Sequence, residues 1–456
     1  MADMQKKSGQ QPLQTGNTTP PGNTHVDAKI KTFTVHIFFD GTGNNRFNTK
    51  IYRENKKNAP KGSVSYENYY SNVALLFMAM QETPTVRKIY IEGAGTNKGK
   101  KDSEVFGMGL AISNTGREDR INEALKNLKA ITKNIAPDIV VINVYGFSRG
   151  AAWARNFCYL FKSPKSKWKK SKINFVGIFD TVSSDQLSVY NDVQELGLDI
   201  GKPQGINYIA HLTAQNDYRH NFPLTRIRGA LKDGIGFECS FPGAHSDIGG
   251  GYSEKASEKK MLSLINDPLL ANKLKDEYIS YKWFLDKGYY NESQFKQNHA
   301  QVQKNGMGNN FDMNYMSQGV GRGIGITSKE YGERTVYFHY QFVVGSIMFE
   351  IAKRKAQYVL LLGTDLEKGV NSMKTIDVLN RFYNGAFNYV MEKMAVKGGG
   401  YAVPLLNKTD MQKLYNLFIH NSLTYGDIAN KGTLLNKIQK NDYCKPKRPE
   451  VTQGFR

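Results

Sequence analysis

The chain has 456 residues, 40% of them apolar, which suits one large core with insertions as well as several average domains. Its 62 basic and 41 acidic side chains leave a net charge of +21, which attracts polyanions such as anionic lipid. The basic residues are spread over tail and loops with no recognisable binding motif, which argues against nucleic acid. Three cysteines, Cys158, Cys239 and Cys444, exclude a disulfide framework and lack zinc-ligand spacing, and no apolar run approaches the ~20 residues that cross a bilayer.

Residues 1–30 are rich in Gln, Thr, Pro and Gly and poor in large apolar side chains, so a disordered tail is expected. They also lack the apolar stretch of a signal peptide, so export would need a dedicated machine. Thr32 to Phe39 reads as a strand that stops at the turn-rich Asp40-Gly41-Thr42-Gly43. Residues 46–70 read as a polar surface excursion, 72–80 as a helix, and 86–91 as a second strand ending in Glu92-Gly93-Ala94-Gly95-Thr96. Ile121, Ala124, Leu125, Leu128 and Ile131 recur at helical spacing within 117–135. Ile139 to Tyr145 is a near-continuous apolar run, as a parallel strand buried on both faces requires. A helix at 151–162 and a strand at 173–179 continue the alternation, which predicts a mostly parallel sheet covered by helices.

Beyond 252 the pattern changes. Residues 253–334 are charged and Met/Gly-rich, and read as an inserted, lid-like segment with a helix at 258–285. Gly319-Val320-Gly321-Arg322-Gly323-Ile324-Gly325 lacks the spacing of a phosphate-binding loop, and Phe311 to Met316 offers apolar side chains to a lipid interface. Helices are expected at 337–357, 371–396 and 409–420. The expected organisation is thus a core over 31–252, the insertion over 253–334, helices over 335–430 completing or covering the core, and a basic, peripheral extension over 431–456.

The chemistry concentrates in the core. Gly146-Phe147-Ser148-Arg149-Gly150 lies between an apolar strand and a helix, where a sharp turn exposes a serine and small flanking residues let it close. A nucleophilic serine needs a base and an orienting carboxylate, in the order Ser, Asp/Glu, His for this turn. Asp180 ends the next apolar strand, with Asp185 and Asp217 as alternatives; His245 stands in the tight Pro242-Gly243-Ala244-His245-Ser246-Asp247-Ile248-Gly249-Gly250-Gly251-Tyr252, with His420 as its rival. Backbone N–H groups of Gly41, Thr42 and Arg149 are the candidate oxyanion hole. Asp247 alone does not make a metal site, and no metal or cofactor is expected.

These motifs resemble, in order, an α/β-hydrolase family that contains the first class of type VI secretion lipase effectors. The blocks are Phe39 to Asn44, Glu92 to Thr96, Gly146 to Ala151, Gly177 to Val182, Gln215 to Arg219 and Pro242 to Tyr252. The resemblance covers about 32–252 well and the C-terminal helices loosely, and 253–334 departs from it. It implies an α/β-hydrolase-like fold, a Ser148-Asp180-His245 triad and hydrolysis of a carboxylic ester in membrane phospholipid. It also implies synthesis in a bacterial cytoplasm and delivery to a target cell's periplasm or membrane surface. The implied partners are a secretion spike or chaperone and a neutralising immunity protein. A soluble-ester or acylglycerol hydrolase with the same triad, and a non-catalytic binding protein on this fold, are the alternatives.

Overall fold

A computed structural model describes residues 32–455 except 104–114, 136–138, 165–167, 169–170, 184–191, 220–221, 266–280, 302–325, 396–398, 424–447 and 454. The expected N-terminal tail, the Gly-rich run 319–325, Phe311 to Met316, Asp185 and Cys444 lie outside the described residues.

Ten strands are described: β1 (Thr32–Phe39), β2 (Val86–Ile91), β3 (Ile139–Phe147), β4 (Lys172–Phe179), β5 (Ile206–Ala214), β6 (Gly236–Phe241), β7 (Lys255–Ile265), β8 (Phe295–Gln301), β9 (Ile326–Tyr337) and β10 (Gly399–Ala402). Seven form one sheet in the order β10-β6-β5-β4-β3-β1-β2, with every neighbouring pair parallel. The alternation of side chains explains the two covered faces. Val35, Ile37, Val144, Val176 and Ile178 pack with Ile121, Ala124 and Leu128 of helix Arg117–Ile135 and with Trp153, Ala154 and Phe157 of helix Arg149–Phe161. Phe38, Tyr145, Phe175, Leu212 and Phe237 point the other way, onto helices Asn72–Ala79, Gln341–Ala356 and Asp377–Lys393. The result is a parallel sheet between two helical layers, and the C-terminal ends of all seven strands share one edge.

Four expectations need correction. The segment 46–70 is no mere surface excursion: helix Arg46–Glu54 is capped by Asn45, and Asn48, Thr49, Ser65, Tyr66, Tyr69 and Tyr70 are buried. The helix expected at 258–285 begins as strand, since residues 258–265 belong to β7. β7 pairs antiparallel with β9, which pairs with β8; residues 266–280 lie outside the described residues, and Tyr281–Lys287 is helical. Glu and Lys favour helices weakly, and tertiary partners override them. Buried Glu258 binds Arg334 of β9 (2.7 Å), whose guanidinium also donates to the carbonyls of Tyr289, Tyr415 and Ile419. The helix expected at 371–396 is two, Asp365–Lys374 and Asp377–Lys393, because Ile376 is extended. Finally, the described part of the basic extension is docked rather than peripheral: Leu224 N–H donates to Pro449 O, Val451 N–H donates to Leu224 O, and Val451 is fully buried.

Candidate active site

β3 ends at Phe147, and helix Arg149–Phe161 begins one residue later. Ser148 between them has φ 58° and ψ −127°, a conformation that side chains rarely adopt. Two glycines make the turn possible. A Cβ on Gly146 would lie 2.6 Å from Ala151 Cα, and one on Gly150 would lie 2.2 Å from Asp40 O. Ser148 N–H is tied to Phe179 O (3.1 Å) at the end of neighbouring β4.

The next residue after β4 is Asp180, also left-handed at φ 40° and anchored by its N–H on Leu212 O (2.8 Å). Past β6, His245 opens the short helix His245–Gly249, and its backbone N–H donates to Asp217 Oδ2 (3.0 Å). Asp217, in the loop after β5, is itself held by Arg219 (2.6 Å). Four strand-end loops thus converge. His245 Nδ1 lies 2.6 Å from Asp180 Oδ2, and its Nε2 lies 2.8 Å from Ser148 Oγ. A carboxylate only accepts, so Nδ1 carries the proton and Nε2 accepts from the serine hydroxyl. The imidazole is braced by the rings of Phe147 (4.7 Å between centroids) and Phe222 (5.1 Å, edge-on).

Residues 158–286 match the family model described as the catalytic domain of Tle1-like phospholipase effectors of type VI secretion. Over those residues the chain is similar to the Tle1-like catalytic domain. The matched residues include Asp180, Asp217 and His245 and begin ten positions after Ser148. A solved structure of the Tle1 effector bound to the VgrG spike of the type VI secretion system is 21% identical, covers 90% of this chain and 89% of its own, and superposes with a TM-score of 0.59. A crystal structure of an uncharacterized protein from Pseudomonas aeruginosa is 20% identical over 49% of this chain and 42% of its own, with a TM-score of 0.33. No curated protein matches the chain.

Electrostatics in this site separate the two titratable partners. Burial lowers the proton affinity of His245, and Arg219 adds to this; the bond and charge of Asp180 and the charge of Asp217 oppose it without cancelling it. Burial alone would raise Asp180, but the charge of Arg448 and the bond from His245 hold it well below the usual carboxylate range. At neutral pH the pair is therefore a neutral imidazole beside a carboxylate, the state a general base needs.

The expected oxyanion donors divide. Gly41 N–H donates to the side chain of Asp40 (Oδ1, 2.8 Å), which removes Gly41 from the candidates. Asp40 is buried and also accepts from Tyr90 (2.6 Å) and Ser71, so this carboxylate organises the loop from within. Burial raises its pKa to about 6 against those hydrogen bonds. Arg149 Nε donates to Thr42 Oγ1 (2.7 Å), which ties the loop after β1 to the elbow. The N–H groups of Thr42 and Arg149 remain as candidates.

His420 is placed elsewhere. Its Nδ1 lies 2.7 Å from Asp247 Oδ1, and its ring stacks on Tyr252 at 3.5 Å between centroids. Asp247 also accepts from the N–H groups of Ala244 (2.8 Å) and His420 (2.9 Å), so it staples the His245 loop to the C-terminal part. Among the described residues no group of three or more His, Cys, Asp or Glu side chains converges as a metal site would require. The sequence reading missed Arg448, and it read Asp217 as a rival carboxylate rather than the anchor of the His245 backbone.

Proposed function

We propose that this Tle1-like chain is a serine esterase of the phospholipase A type, with Ser148 as nucleophile, His245 as general base and acid, and Asp180 as the orienting carboxylate. The observation that carries the reading is the continuous Asp180–His245–Ser148 relay, with its serine on a strained strand-to-helix turn. In this reading Ser148 Oγ attacks the ester carbonyl as His245 Nε2 takes its proton, while Asp180 holds the tautomer and stabilises the imidazolium. The tetrahedral oxyanion is received by the N–H groups of Arg149, at the head of its helix, and Thr42. His245 then protonates the departing alcohol oxygen, and water, activated by the same imidazole, releases the fatty acid from Ser148.

The substrate reading rests on the family and on the net charge of +21, which concentrates the protein at anionic bilayers at low salt. No helix among the described residues is long and apolar enough to cross a membrane, so the reading is attack on the lipid from its surface. Delivery through a secretion spike is proposed by analogy with the spike-bound Tle1 structure. An immunity protein with an acidic face would complement the basic surface. The deciding measurement is mass spectrometry of phospholipid vesicles incubated with wild type and Ser148→Ala. The expected products are lysophospholipid and free fatty acid from wild type alone. Equal product from both proteins, or cleavage of short-chain esters only, overturns the proposal.

A further inference from the structure

The final described segment reaches the triad carboxylate from 268 residues away. It is docked by the parallel bridge between Leu224 and Glu450, by Glu450 near Arg228 (3.6 Å), and by Val451 packed with Ala152 and Leu198. That docking delivers Arg448. Its Nη1 donates to Asp180 Oδ1 (2.6 Å) and Ala214 O (2.7 Å), and its Nη2 to Asp180 Oδ2 (2.9 Å) and Phe222 O (3.4 Å). The ion pair is buried, with Arg448 7% and Asp180 0% exposed.

We propose that Arg448 is a positioning residue for the triad: the docked C-terminal segment presents a guanidinium fork that fixes the Asp180 carboxylate, and through it the His245 imidazole. The proposal rests on the catalytic reading of Ser148, His245 and Asp180. Without Arg448, the Asp180 carboxylate keeps, among the described residues, His245 and the Ala214 N–H (2.8 Å) as partners, one on each oxygen, with no group that spans both. A planar fork spans both oxygens, which an ammonium point charge does not. The arrangement has a cost. The cation partly neutralises the charge that stabilises the imidazolium, so orientation is gained against basicity. The charged groups facing His245 are Asp180 and Asp217 on one side of the balance and Arg219, with Arg448 across Asp180, on the other; His211 faces Asp180 beyond Thr181.

The test uses full-length Arg448→Met and Arg448→Lys on phosphatidylglycerol and phosphatidylethanolamine vesicles for kcat, and on a soluble short-chain ester for the pH profile of kcat/KM. Circular dichroism and thermal melting monitor folding. Arg448→Met is expected to lose about ten- to a hundredfold in kcat, as loss of an orienting partner does around ligated imidazoles. It is also expected to move the acid limb to higher pH, because removing a cation raises the proton affinity of the remaining pair. Arg448→Lys keeps the charge and loses the fork, so its limb stays in place while kcat falls between the two. A merely structural residue would lower stability and activity without moving the limb. Wild-type kcat in either variant, or a kcat loss in a folded Arg448→Met with an unmoved limb, overturns the inference. If Arg448→Met does not fold, Arg448→Lys decides by the same kcat criterion. Ser148→Ala run in parallel separates the two claims: full activity there removes the triad reading itself, whereas a dead Ser148→Ala beside wild-type Arg448 variants removes only this inference.

Discussion

Among the described residues two buried His–Asp pairs of nearly equal distance sit in one neighbourhood. His245 meets Asp180 at 2.6 Å, and His420 meets Asp247 at 2.7 Å. Only Ser246 separates His245 from Asp247. The pairs differ in what surrounds them. His245 Nε2 faces Ser148 Oγ, whereas His420 Nε2 is buried with no hydrogen-bond partner among the described residues, and the ring is stacked flat on Tyr252. Asp180 is gripped by a guanidinium, whereas Asp247 spends its oxygens on two backbone N–H groups and one imidazole. A short His–Asp contact is thus a structural staple in one place and a relay in the other, and the third group decides which.

The largest expected effects break that comparison at its third group. Ser148→Ala, or His245→Ala, should reduce vesicle hydrolysis by about 10⁴-fold or more, since members of such a relay act as a unit. His420→Ala should leave hydrolysis within about tenfold of wild type, because the unit does not include it. A His420→Ala protein that is folded yet as dead as His245→Ala would erase the distinction.

Exchanging each carboxylate for its amide is the next step down. Asp180→Asn presents an N–H or an amide oxygen where the imidazole N–H needs a carboxylate, which favours the wrong tautomer and should lower kcat by about 10⁴-fold. Asp247→Asn alters a staple, so its expected signature is a lower melting temperature with kcat mostly retained, the loss being about 1–3 kcal/mol for a buried group left imperfectly paired. Parallel thermal melts and initial rates on the two variants check both halves. Equal catalytic losses would show that the His420 pair also serves the chemistry.

The sequence made the core of this legible for a physical reason. Nucleophile, carboxylate and base each follow an apolar strand at one sheet edge, and strand plus glycine turn is a local signal. Ser148 and Asp180 are two of the three described non-glycine residues at positive φ, so both positions carry strain that strand-end patterns announce only as turns. What was hidden depends on distant partners. β5 reads Ile-Asn-Tyr-Ile-Ala-His-Leu-Thr-Ala, and its apolar run is broken by His211, which is buried only because Glu238 of β6 (2.9 Å) and Thr181 receive it. β10 begins with two glycines and exists because β6 offers an edge. β7 carries Glu and Lys that a helix would also accept, until Arg334 claims Glu258. Arg448 stands in Lys445-Pro446-Lys447-Arg448-Pro449, where nothing nearby in sequence distinguishes a triad contact from a basic tail.

Helix and sheet packing around His420 predicts a smaller effect. His420→Gln keeps a donor near Asp247 but loses the flat stack on Tyr252, so stability should fall by about 0.5–1.5 kcal/mol with the rate on vesicles unchanged. Denaturant melts read the first quantity. A stability loss of several kcal/mol would mean that the pair anchors more than the His245 loop.

The smallest effect is a displacement along the pH axis. Only the neutral form of His245 accepts the serine proton, and burial, followed by the charge of Arg219, lowers its proton affinity more than Asp180 and Asp217 raise it. The base form therefore persists to lower pH than in a free imidazole, and the acid limb of kcat/KM should fall below the ordinary histidine value of about 6.5. Asp180 stays ionised through that range, since its own proton affinity is depressed further, so the limb belongs to the imidazole side of the pair. A soluble short-chain ester is the right probe, because vesicle binding brings its own charge dependence through the basic surface. The His420→Gln protein should trace the same limb as wild type. A limb at or above 6.5 in wild type, or one that moves with His420, would place the titrating base outside the Asp180–His245 pair.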